Sequence, residues 1–168
     1  MSATAAHAEP AVAGPLAVAA PFLREAPVDL LAMARALGLT VQMDARLSPD
    51  LSGRIRRGGD GPAGTYIEVN GAHSFQRRRF TLAHEIAHFL LHRDLIGDGI
   101  DDTALYRSRL SDRTEVEANQ LAAQILMPAA LLRDIHRAGA RSLAGLSAMF
   151  QVSEEAMRIR LGQLRLGV

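Results

Sequence analysis

The apolar positions of the chain follow a helical period, then an alternating one, then a helical period to the end. In PVDLLAMARALG, Val28, Leu31 and Leu37 recur at helix spacing, with Pro27 near the start and Gly38 past the end. LTVQM, residues 39–43, predicts a short strand, and two further strands follow at 53–56 and 65–69 around a glycine-rich turn. YIEV alternates its faces, so TYIEVN is a candidate edge for pairing with an extended peptide. A long helix is expected from Phe75 to about His92, then an acidic loop carrying Asp94, Asp98, Asp101, Asp102 and Asp112. RTEVEANQLAAQILMP predicts a strong helix stopped by Pro128, and AALLRDIHRAG a third. The tail SLAGLSAMFQVSEEAMRIRLGQL reads as two helices joined near 151–153, with Ser153 as N-cap of the second. Leu143, Leu146, Met149, Met157, Leu161 and Leu164 are its expected core positions. This order of elements predicts an α+β fold: a small antiparallel or mixed sheet, then a buried helix and further helices.

Composition narrows the chemistry. The 168 residues suit one domain of ordinary size, 48% of them hydrophobic. A net charge of +1 gives the whole chain no pull toward nucleic acid or membrane. All 19 basic residues are arginine, which reads as coding bias rather than as a dedicated binding surface. With no cysteine, disulfides and thiolate zinc sites are excluded, and any metal must use histidine and carboxylate. No apolar run reaches membrane-spanning length, and the N-terminus lacks the basic start of a secretory signal, so a cytoplasmic protein is expected. Residues 1–24 are expected to be an unstructured Ala/Pro-rich tail.

The helix around TLAHEIAHFLLH is apolar nearly all round, which predicts burial, yet it holds three titratable groups. His84 and His88 are four residues apart and share a face, one turn above the other. Burying such groups unpaired costs several kcal/mol. Two imidazoles so placed can instead chelate one ion, with the carboxylate of Glu85 close to its open position. HEIAH is the HExxH signature of zinc peptidases.

A catalytic zinc needs a third protein ligand. Asp94 stands where the HExxHxxGxxH arrangement has its last ligand, but Leu91 replaces the glycine that would turn the chain there. Glu115 and Glu117 lie on the next helix. Glu115 shares its face with Ala118, Asn119, Ala122 and Leu126, a small-residue stripe suited to close packing. Glu117 shares its face with Gln120, Leu121 and Gln124, the polar side. The expected ligands are therefore His84, His88 and Glu115, with Asn119 hydrogen-bonding a ligand from behind. Zinc fits these donors best, with manganese the next candidate. His73, His92, Tyr106 and Arg109 are candidates by residue type for stabilising an oxyanion.

RRFTLAHEIAHFLLH, EVEANQLAAQILMP and, upstream, PVDLLAMARALGLTV and LSGRI resemble the ImmA/IrrE family of bacterial metallopeptidases. The resemblance runs from about Pro27 to Pro128 and extends weakly through VSEEAMRIRL. It implies a zincin-like fold, with His84, His88 and Glu115 as ligands and Glu85 as catalytic base. It further implies cleavage of an XRE-type helix-turn-helix repressor, derepressing stress or mobile-element genes. The expected organisation is a tail over 1–24, a zincin-like metallopeptidase domain over 25–140 and a helical, helix-turn-helix-like segment over 141–168 packed on it. The alternative is a DNA-binding or repressor-binding regulator with a structural, non-proteolytic zinc site. From Leu131 on there are six arginines against three acids. The leucine spacing and the acidic start of the last helix nevertheless favour packing over direct DNA contact.

Overall fold

The computed structural model describes residues 14–58, 64–96, 112–140 and 142–167. A short helix α1 (Pro15–Ala19) runs into a 3-10 turn (Ala20–Arg24), followed by α2 (Leu30–Ala36). Three strands come next, β1 (Thr40–Ala45), β2 (Gly53–Arg57) and β3 (Thr65–Asn70). The remainder is helical: α3 (Phe75–Leu91), α4 (Asp112–Leu126), α5 (Ala129–Arg137), α6 (Leu143–Phe150) and α7 (Glu154–Leu164). The architecture is α+β, as the order of periods predicted, and consistent with a zincin-like fold.

The first correction concerns the tail. Pro15–Arg24, expected to be unstructured, is helical, with Ala19 buried and Phe22 and Leu23 packed against the core. The expected helix after Pro27 starts at Leu30, because the Asp29 side chain accepts the Ala32 N–H at 2.9 Å and caps it.

The sheet order is β1-β3-β2, with β1 parallel and β2 antiparallel to β3. TYIEVN is therefore the central strand, paired on both sides, and cannot be the edge expected of it. Val41, Ile67 and Ile55 stand in register across the three strands, and Ile55 and Ile67 are buried. On the opposite face, Glu68 accepts from Arg54 Nε at 2.7 Å and from Arg56 Nε at 3.1 Å. These ion pairs hold the Glu68 carboxyl below its usual range against the opposing effect of burial.

The inward face of the sheet packs on α3, which is capped by Ser74 and buried from Thr81 to Phe89 except at His84. Such burial contributes about 1.5–3 kcal/mol for each large apolar side chain, here Leu82, Ile86 and Phe89. Helix α4 lies along α3, its small residues Ala118 and Ala122 fully buried. It ends at Leu126, two residues before Pro128. Proline has no N–H to continue the ladder, and Pro128 instead opens α5.

Helices α6 and α7 close the core with Leu146, Phe150, Met157 and Leu161. Ser153 caps α7, accepting from Ala156 N at 3.1 Å. Met149, expected inside, is 41% exposed. Leu146, Ser147 and Phe150 form the buried face of α6, and beyond the left-handed Gln151 the chain turns Val152 inward. Arg160 is buried, and its Nε donates to the carbonyl of Met127 at 3.1 Å, tying α7 to the end of α4.

Candidate metal centre

His84 and His88 project from the same side of α3, and their Nε2 atoms approach to 2.9 Å. Glu115, in the first turn of α4, brings Oε2 to 3.4 Å from His84 Nε2 and Oε1 to 3.5 Å from His88 Nε2. Donor atoms of all three lie within 4.8 Å of one another. Two ligands of a tetrahedral zinc with bonds of ~2.0–2.1 Å stand about 3.3 Å apart, so the spacing suits one such ion. Burial is the first cause holding both imidazoles neutral, His88 down to about 3 and His84 below its ordinary value. Neutral imidazole is the form that binds metal.

Asn119, one turn after Glu115, places Oδ1 3.0 Å from His84 Nδ1. An amide oxygen only accepts, so His84 Nδ1 carries the hydrogen and Nε2 presents its lone pair to the cluster. Two imidazole nitrogens and a carboxylate thus converge on one point between α3 and α4. A divalent cation fits that donor set.

Glu85, one residue after His84, brings its Oε1 near Gly53 of β2 and lies close enough to Glu115 to feel its charge. It is 6% exposed, and its Oε2 has no hydrogen-bond partner among the described residues. Burial, and then the charge of Glu115, push its pKa up to about 8. Gly53 lets β2 approach Thr81 of α3 closely beside Glu85. A Cβ at that position would lie 2.4 Å from Thr81 Cγ2, 2.8 Å from the Glu68 carbonyl oxygen and 3.7 Å from Glu85 Oε1. The sequence reading passed over this glycine, although a glycine at the head of a strand signals close approach of another backbone or side chain.

Other expectations fare differently. Asp94 sits exposed in a single turn (Arg93–Leu95), outside the cluster. Tyr106 and Arg109 lie outside the described residues. Glu117 does not point simply to water: its Oε1 accepts from Arg113 Nε at 2.8 Å, and its Oε2 lies 3.2 Å from His92 Nε2. His92, considered above for an oxyanion, is buried behind His88, with the two Nδ1 atoms 3.2 Å apart. The spacing of His84, His88 and His92, each four residues on, was the available signal for this stripe.

Comparison with known proteins bears on the same residues. The family profile described as the IrrE N-terminal-like domain, a peptidase family, matches residues 35–162. The radiation response metalloprotease IrrE of Deinococcus radiodurans is 39% identical over 103 residues. That match takes in 58% of this chain and 31% of the relative, so the chain spans under a third of that protein's length. Among solved structures, a Mycobacterium tuberculosis transcriptional regulator superposes with a TM-score of 0.59 at 19% identity. The match covers 88% of this chain and 46% of that one, and at such identity it speaks for the fold alone.

Proposed function

The chain belongs to the IrrE N-terminal-like peptidase family, the ImmA/IrrE group it resembles in sequence, and we propose that it is a zinc-dependent endopeptidase. The observation that carries this reading is the convergence of His84, His88 and Glu115 from two helices beside a buried, unpartnered carboxyl. His84 Nε2, His88 Nε2 and the Glu115 carboxylate would hold the ion. A divalent ion bound there supplies Lewis acidity to a water and to the scissile carbonyl.

The remaining steps belong to protein groups. Glu85 takes the proton of the attacking water on its carboxylate and returns it to the leaving amine. Burial, and then the charge of Glu115, raise the affinity of this carboxylate for a proton. Among the described strands β2 is an outer one, and it leans on α3 beside Glu85 through Gly53. An extended peptide added to the outer edge of β2 would pass the donor cluster, so this strand takes the role first expected of TYIEVN.

The substrate we propose is an XRE-type helix-turn-helix repressor, whose cleavage derepresses stress or mobile-element genes. The support is the family resemblance and the radiation response of the Deinococcus radiodurans relative. Direct DNA binding by the C-terminal helices is disfavoured. Arg160 is buried against Met127, Arg137 pairs with Asp134 at 2.5 Å and Arg158 with Glu155 at 2.6 Å. No helix among the described residues is long and apolar enough to cross a membrane, in keeping with the cytoplasmic site of action proposed here.

The test is incubation with the repressor encoded beside this protein, with and without chelator, followed by mass spectrometry of fragments. Metal-dependent cleavage is expected, falling by ~10²–10⁴ in Glu85→Gln while bound zinc is retained. If Glu85→Gln relieves repression as well as the wild type does, a non-proteolytic zinc protein that binds the repressor replaces this reading.

A further inference from the structure

His88 and His92 meet through Nδ1 atoms 3.2 Å apart, and His92 reaches on through Nε2 to Glu117 Oε2, also at 3.2 Å. Glu117 is held in turn by Arg113 Nε, 2.8 Å from its other oxygen. These contacts run from α3 across to α4 behind the donor cluster. The geometry points to His92 and Glu117 as positioning residues that fix the imidazole of His88 in its Nδ1–H form, leaving Nε2 bare toward Glu115 and His84. The inference rests on the metal-centre reading above and extends it beyond the atoms that would touch the ion.

The argument follows from what each group can donate. An ionised carboxylate only accepts, so the hydrogen between His92 and Glu117 sits on His92 Nε2. A neutral imidazole carries one hydrogen, which leaves His92 Nδ1 as an acceptor. The only donor that His92 Nδ1 can then receive from across the 3.2 Å contact is His88 Nδ1–H. His88 Nε2 must consequently be the lone pair, and it is the atom nearest Glu115 Oε1 at 3.5 Å. Moving the His88 hydrogen to Nε2 leaves two lone pairs facing across the Nδ1–Nδ1 contact, and moving the His92 hydrogen to Nδ1 leaves a lone pair facing Glu117 and two hydrogens facing at His88 and His92.

The two histidines of the cluster thus reach the same form by different routes. Asn119 orients His84 directly, across to α4. His88 lies deeper, with its side chain only 2% exposed, and its Nδ1 meets His92 rather than Asn119. A second histidine one helical turn on bridges the gap to a carboxylate on α4. The side chain of His92 is 8% exposed and that of Glu117 is 39% exposed, so the relay starts at the surface and ends in the core.

Two measurements test this, one of them without metal. In the metal-free protein, two-bond ¹H–¹⁵N correlation of the imidazole rings reads the form of His88. A single Nδ1–H form is expected in the wild type, and a mixture in His92→Ala and Glu117→Ala. His92→Asn, whose amide oxygen takes the place of Nδ1, should restore the single form. A residue that merely fills space would lower the melting temperature without moving this signal. An Nε2–H form in the wild type, or an unchanged form in all three variants, overturns the inference. The second measurement is zinc affinity by chelator competition. A loss of ~10–100-fold is expected for His92→Ala and Glu117→Ala, with partial recovery in His92→Asn. Equal affinity in all of them also overturns it. If the wild type shows the Nδ1–H form but binds no zinc, the metal reading fails and the relay stands. Should His92→Ala not fold, the partly exposed Glu117→Ala and the isosteric His92→Asn decide the matter.

Discussion

A carboxylic acid buried beside another carboxylate resists ionising, and Glu85 next to Glu115 shows the effect, with a pKa near 8 against an ordinary 4.5. His88, one turn on, moves the other way, from 6.5 to about 3, because burial and then His84 and His92 disfavour its charge. The two shifts have opposite effects on stability. Glu85 binds its proton more tightly in the folded state, so its contribution is complete below about pH 4.5 and is lost as pH rises toward 8. His88 binds its proton less tightly when folded, so its contribution is complete above about pH 6.5 and is lost as pH falls toward 3. Glu68, held low by Arg54 and Arg56, adds to the acid side. Chelated protein should therefore melt highest between about pH 4.5 and 6.5 and lower on either side. Glu85→Gln should abolish the alkaline fall and leave the acid one. Thermal melts of both proteins across that range check it, and an undiminished alkaline fall in the variant would assign the effect to another group.

Strand and helix meet most closely at Gly53, and the contact sets where the sheet edge lies relative to the cluster. In Gly53→Ala the new methyl would stand 2.4 Å from Thr81 Cγ2 and 2.8 Å from the Glu68 carbonyl oxygen. Thr81 is buried on α3 and the carbonyl belongs to the central strand, so neither can yield cheaply. The expected cost is about 1–3 kcal/mol, the range for overpacking. Because β2 would be pushed off α3 while α4 is untouched, zinc affinity should hold and peptide cleavage should fall. Chelator competition and a cleavage time course on the same samples measure the two. Loss of zinc in parallel with activity would show that β2 supports the cluster itself. Elements of this kind were largely legible in the sequence. The cap at Ser153, the stop before Pro128 and the long run of α3 appear where local spacing put them. The pairing of β3 was not, because an alternating strand looks the same at an edge as in the middle, and only its neighbours along the sheet distinguish the two.

Helix α3 and the C-terminal helices share one core, in which Leu82 and Ile86 of α3 belong to the same cluster as Leu146, Phe150, Met157 and Leu161 of α6 and α7. At about 1.5–3 kcal/mol for each of those four C-terminal side chains, their burial rivals the ~5–15 kcal/mol that holds a whole domain folded. Truncation after Gly139 should therefore abolish a cooperative melt rather than release an intact smaller domain. Circular dichroism melts of the truncated chain check this. A sharp transition near the wild-type temperature would mean that α6 and α7 add little and are free for another role. The same packing withdraws Arg160 from any DNA surface, which a count of charges along the tail could not reveal.

Local spacing was enough to find what depends on neighbours a few residues apart. Helix period placed His84 and His88 on one face, and the small-residue stripe around Ala118 and Ala122 turned Glu115 toward them and Glu117 aside. Contacts between distant segments were a different matter. Glu117 turned out to hold His92 behind His88, Gly53 turned out to admit Thr81 of α3 against β2, and Met149 gave way to Phe150 where the chain leaves α6. Each of these depends on which element packs on which, and at what depth. A period of 3.6 or 2 residues carries the direction of a side chain from its own axis, but not the identity of the atom that waits there.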